Sequence, residues 1–143
     1  MKSPKSLYLI LFLLAATNSF SQKIEKNQEK NRVIMVFTDD KNAEVFEQQI
    51  QLLKNESDGL KERRLVVFQV LPNFFNFNFE KKWNHSPDLN HNFNPEKAKF
   101  KVILIGLDRE IKLEQTDVLS IKKLFALVDE MPMRKIEMKN DKH

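Results

Sequence analysis

The side chains best suited to chemistry fall into three groups. His85, Asp88 and His91 follow one another at three-residue steps in "NHSPDLNHN". Imidazole and carboxylate suit zinc where a helix or turn makes them converge. Pro87 and the neighbouring asparagines favour a loop, so solvated loop residues are the simpler reading. Met131, Met133 and Met138 carry thioethers soft enough for Cu(I), with no histidine or cysteine among them to complete a site. Asp39 and Asp40 end an apolar run and form a candidate strand-end site. Acid–base work there requires a pKa raised by burial, whereas capping a helix requires only one of the two. The chain contains no cysteine, which excludes a thiolate nucleophile, a redox dithiol and a peroxidatic sulfenate. Two glycines leave no material for a phosphate-cradling loop or a nucleotide fingerprint, and no Ser-His-Asp arrangement is present.

The N-terminus sets the expected compartment. Lys2 and Lys5 precede an apolar run from Leu7 to Ala16, followed by small and polar residues through Ser21. That is the form of a secretory signal peptide over residues 1–21, too short to span a bilayer, with cleavage expected before Gln22. The expectation is an exported protein, periplasmic or extracellular, with no stable membrane insertion once the signal is removed. The formal charge of +4 falls to +2 without Lys2 and Lys5. The remaining charge is scattered, so nucleic acid is not an expected partner. An exported chain without disulfides must be held by its core alone.

Residues 22–31 read as a flexible lead. Arg32 to Phe37 is a continuous apolar run with strand length and both faces buried. Asp39 or Asp40 is the expected N-cap of a helix whose inner face is Ala43, Phe46, Ile50 and Leu53, and Gly59 is placed to end it or the turn behind it. A second strand spans Arg64–Leu71, and a parallel crossover joins the two. "KFKVILIGL" and "IKL" at 111–113 form a hairpin, then Ser120 caps a helix with Ile121, Leu124, Phe125, Val128 and Met131 on one face. Pro132 stops that helix at Met131, leaving Arg134 and Lys135 to meet its last carbonyls. Residues 72–98 show no helical period and read as an irregular Asn/Phe-rich insert. Within it Phe75, Phe77 and Phe79 alternate as three rings on one side of a strand, near Trp83. The order β-α-β, insert, β-β-α is a thioredoxin-like α/β domain over 32–138, with residues 139–143 as a tail.

The segment "KVILIGLDREIKLEQTDVLSIKKLFALVDEMPMRKIEM" resembles the closing half of a thioredoxin-like, peroxiredoxin-related domain family. Its members occur as short secreted bacterial proteins and in animal matrix proteins, the sushi-repeat-containing and "down-regulated by oncogenes" proteins. Gly106, Asp108, Asp129, Met131, Pro132, Met133, Arg134 and Glu137 carry the resemblance, with Gln48 or Gln49 and Arg63 or Arg64 as weaker matches. It departs from the family at Arg109, where a glycine commonly follows the aspartate. It also has Asp39 and Asp40 where the peroxiredoxin relation implies a reactive cysteine, so the fold is implied and the peroxidase activity is not.

These readings converge on an exported, non-catalytic thioredoxin-like domain that binds a protein or a surface glycan and needs no cofactor. The competing expectation is a cysteine-independent metal protein or enzyme using His85, Asp88 and His91 or the three methionines.

Overall fold

The computed structural model describes residues 30–142; the expected signal peptide and most of the N-terminal lead lie outside them. Eleven elements follow in order: β1 (Arg32–Thr38), α1 (Glu44–Lys54), α2 (Ser57–Glu62), β2 (Leu65–Val70), β3 (Phe74–Phe77), β4 (Trp83–His85), α3 (Pro87–Phe93), β5 (Phe100–Ile105), β6 (Ile111–Gln115), α4 (Ile121–Asp129) and α5 (Pro132–Asn140). They form a mixed α/β fold around one six-stranded sheet in the order β4-β3-β2-β1-β5-β6. β1 and β2 are parallel, and every other neighbouring pair is antiparallel. Among the described residues no helix is long and apolar enough to cross a membrane.

β1 is buried along its whole length because both faces of the sheet are covered. Its alternate residues Ile34 and Val36 join Val67, Val102 and Leu104 beneath Phe46, Ile50 and Leu53 of α1, Leu60 of α2, and Leu124 and Val128 of α4. Each such side chain contributes roughly 1.5–3 kcal/mol on burial. Val33, Met35 and Phe37 point the other way, into a second cluster with Phe68, Val70, Phe75, Ile103 and Ile105, where Leu89 and Phe93 of α3 pack.

Several sequence expectations are corrected. Residues 72–98 are not irregular: they hold β3, β4 and α3. Pro87 opens α3 from its first turn, where a missing N–H leaves nothing unsatisfied. Only Leu89 and Phe93 anchor that helix to the sheet, too few residues to register as a period. Phe75 and Phe77 do share one face of the sheet, but Asn78 and Phe79 both adopt left-handed backbone (φ 48° and 62°). The alternation breaks there, and Phe79 packs against the opposite cluster. Asn76 organises this turn. Its amide donates to the carbonyls of Glu80 and Lys82, and its oxygen accepts from Gln69 at 3.1 Å.

Neither aspartate caps α1, whose N-cap position is Ala43 without a side-chain bond. Asp40 instead closes a local turn by accepting from the Asn42 amide at 2.9 Å. Gly59 does not end a helix. It sits inside α2, where a Cβ would lie 2.6 Å from the Phe125 ring, so its role is close packing. Ser120 caps α4 as expected, accepting from the Lys123 amide at 3.2 Å. Gln49 is buried and clamps the loop ahead of α4, its amide donating to the Leu119 carbonyl at 3.0 Å and its oxygen accepting from the Leu119 amide at 2.7 Å.

Candidate functional site

Pro132 does not simply stop a helix. α4 ends at Asp129, and Met131 adopts the extended conformation that a following proline enforces (φ −68°, ψ 136°). Pro132 is then the first residue of α5, which continues through Asn140, so residues 139 and 140 belong to a helix rather than a tail. The turn between the helices swings Arg134 inward. Its side chain is 1% exposed, and it bonds to carboxylates and to the Glu62 carbonyl rather than to the carbonyls that end α4.

Arg134 belongs to a network of three guanidiniums and three carboxylates. It donates to Asp129 at 3.3 Å, to the Glu62 carboxylate at 2.9 Å and to the Glu62 carbonyl at 3.2 Å, and it lies 3.5 Å from Glu137. Arg63 makes a two-pronged pair with Asp129, both contacts at 3.0 Å, and its guanidinium stacks 3.9 Å from the centre of the Phe125 ring. Arg32, at the start of β1, reaches Glu137 through two contacts of 3.2 Å and donates to the Arg63 carbonyl at 2.8 Å. The planar guanidinium suits such forks. Burial alone would raise the Asp129 pKa, but hydrogen bonds from Arg63 and Arg134 and the charges behind them hold it below its usual 3.8. Burial disfavours the Arg134 cation too, and its carboxylate partners outweigh that and raise its pKa. Three opposite charges match three, so the network joins β1, α2, α4 and α5 without a net charge.

Beside it lies a pocket of about 250 Å³ lined by Arg32, Gly106, Leu107, Asp108, Lys112, Met131, Pro132 and Met133. The β5–β6 turn supplies one wall and the α4–α5 turn the other. At Gly106 the Lys112 and Asp108 side chains lie close over the backbone: a Cβ there would lie 2.8 Å from the first and 2.9 Å from the second, so both would have to shift. Asp108 accepts from Lys112 at 2.5 Å. Burial disfavours both charges, yet their mutual contact lowers the Asp108 pKa and raises that of Lys112. Arg109 takes left-handed backbone (φ 67°) in this turn, a conformation glycine adopts freely.

These contacts bring together the residues singled out in the MPMR segment, namely Asp129, Met131, Pro132, Met133, Arg134 and Glu137. The model of the family described as Domain of unknown function (DUF4174) matches residues 23–137. The chain belongs to that family. No curated protein matches it. The family match takes in the whole network, from Arg32 to Glu137, and every residue lining the pocket.

The other candidate groups stay apart. Asp39 and Asp40 are exposed. His85 is exposed on β4, its ring edge-on to Phe74 at 5.5 Å, while Asp88 and His91 are exposed on α3 rather than in a loop. Among the described residues no group of three or more histidines and carboxylates is placed to hold a metal ion. Met131 and Met133 share the pocket, but Met138 lies a turn further along α5, beside Arg134 and Lys139 on a different surface. Among the described residues of this segment, Phe75 is buried and Phe77 and Trp83 are half-buried, whereas the Phe74 ring is 43% exposed.

Sequence reasoning missed two buried cations. Arg32 reads as part of the apolar run of β1, without a partner for its charge. Lys101, inside "KFKVILIGL", is fully buried, with its ammonium on the Phe93 carbonyl at 2.7 Å, on Glu96 at 2.5 Å and on Glu114. The available signal was a charge inside a run otherwise buried on both faces, which requires a partner.

Proposed function

We propose that this chain is an exported, non-catalytic binding domain with a thioredoxin-like core. Four adjacent strands support the fold: β2-β1-β5-β6, with β1 and β2 parallel, β5 and β6 antiparallel, α1–α2 crossing between the first pair and α4 following the second. β3, β4 and α3 extend that core at the β2 edge. The observation that carries the functional reading is the loop after β1, where a thioredoxin-like domain places its reactive group. Here Thr38 to Asn42 is closed by turn hydrogen bonds within the loop, with both carboxylates in solvent, and the chain has no cysteine to place there. The links to secreted bacterial proteins and animal matrix proteins belong to the same proposal, as does a protein or surface glycan as partner.

The binding surface in this reading combines that loop with the Phe74–His85 edge. Amide-shift mapping of the labelled full chain against purified surface polysaccharide and exported proteins tests it. The expected result is saturable perturbation at Phe74, His85 and Asp39–Asn42 with the added molecule chemically unchanged. Turnover of an added substrate, or perturbations that avoid both regions, would overturn it. N-terminal mass analysis of the exported protein should find Gln22 first; an intact Met1 form in a membrane fraction refutes the export part.

A further inference from the structure

The pocket between the β5–β6 turn and the start of α5 is built to hold an anion with an apolar body. We propose that it binds a small organic carboxylate carrying a short hydrocarbon chain. This site is separate from the surface named above: it lies at the Arg32 end of β1, whereas that surface lies beyond Thr38 at the other end, and the two stand or fall independently.

Three donor features meet at this pocket. The first is Arg32, whose residue surface is 0% exposed. Its Nη1 and Nη2 are engaged with Arg63 and Glu137, whereas its buried Nε has no hydrogen-bond partner among the described residues. A buried donor left unmatched is a rare feature in a folded protein, and Arg32 is one of the residues that line the pocket. The second is the N-terminus of the nine-residue α5, which has no side-chain cap. Its first intrahelical bond runs from the Lys135 amide to the Met131 carbonyl at 3.0 Å, so the amides of Met133 and Arg134 precede the ladder. Free amides at the positive end of a helix favour an anion. The third is Lys112. Asp108 holds its ammonium at 2.5 Å and Glu110 lies 3.5 Å away, while Arg32 is matched to Glu137, so what these cations offer is spare N–H donors rather than surplus charge.

The rest of the lining explains why the anion should carry a hydrocarbon chain. Leu107, Met131, Pro132 and Met133 offer carbon and thioether surface, and methionine adapts to irregular shapes. Taking about 30 Å³ per non-hydrogen atom, the liquid share of one water, the volume holds about eight such atoms. Hexanoate has that size. A peptide C-terminus ending in an apolar residue presents the same chemistry.

The test titrates the full chain with hexanoate, following the Met131 and Met133 methyl signals and the Arg32 Nε–H. Saturable shifts at all three are expected. The isosteric amide hexanamide should bind at least tenfold more weakly, because it lacks the charge. Met133→Glu places a carboxylate at an exposed position in the first turn of α5, where the fold tolerates it, and should weaken hexanoate at least tenfold with the melting transition retained. Two blocked dipeptides ending in leucine, one with a free and one with an amidated C-terminus, separate the ligand sources. Tighter binding of the free peptide assigns the pocket to chain termini and tighter binding of hexanoate to free acids, and either supports the proposal. Equal affinity for hexanoate and hexanamide, tighter binding of inorganic phosphate, or an unperturbed Arg32 Nε–H would overturn it. Should the pocket fail while Phe74 and the β1 loop still respond to a partner, the broader binding role stands without it.

Discussion

Replacing Arg134 by alanine separates two accounts of the MPMR turn. A residue that only met the carbonyls at the end of α4 would contribute about 0.3–1 kcal/mol. In the structure its side chain is 1% exposed and makes charged contacts to Glu62, Asp129 and Glu137. Breaking a buried charged pair costs about 3–5 kcal/mol when the partner is stranded. The partners here are not fully stranded, because Asp129 keeps Arg63 and Glu137 keeps Arg32, while the Glu62 side chain is 61% exposed and can rehydrate. The expected loss is therefore about 2–4 kcal/mol, lying between a single charged hydrogen bond and a stranded charge. Against a total of about 5–15 kcal/mol this is a large fraction. Urea melts read it as a shift in midpoint at unchanged slope. Arg134→Lys should recover only part of the loss, since one ammonium cannot reproduce the fork. A loss below about 1 kcal/mol for Arg134→Ala would refute the network account and restore the helix-end role.

Three further outcomes are expected. Because Asp129 titrates below 3.8 in the folded state, its contribution is present above that value and is lost as the pH falls through its folded pKa; the wild-type urea midpoint should drop on acidification below about pH 4, and Asp129→Asn should be weaker at neutral pH with a flatter acid limb. Gly59→Ala gains helix propensity but drives a Cβ to 2.6 Å from the Phe125 ring, which Arg63 holds from its face; a net loss of about 1–2 kcal/mol is expected, relieved when Phe125→Leu is added. Arg109→Gly should raise stability by about 0.5–1 kcal/mol in thermal melts, since φ is 67° there, and unchanged or lower stability would contradict a strained turn.

The elements with sustained periods were legible in the sequence: β1, α1, β2, the β5–β6 hairpin and α4 all lie where the apolar pattern put them. α3 was not, because two anchors on a seven-residue helix leave no measurable period. α5 was hidden by the double meaning of proline, which disfavours helix before it and starts helix at it. Of the site, the types Asp129, Met131, Pro132, Met133, Arg134 and Glu137 were visible, but their direction was not. Nothing along the chain says that Arg134 turns inward, or that it shares Glu137 with Arg32, which lies 105 positions before that glutamate. Gln49 and Lys101 show the same limit, since a polar residue on an inner face becomes intelligible only once its distant partner is placed.

The span between Arg32 and Glu137 also sets a timetable. At about 5–20 residues per second, roughly 5–20 s of synthesis separate them. For most of that interval β1 lacks its neighbour β5, and even once Ile105 is made the chain still lacks the carboxylate that makes burying Arg32 tolerable. The last helix therefore acts as a late lock. A chain halted before Glu137 should stay open to whatever handles unfolded polypeptides, and closure should come in one step when α5 arrives.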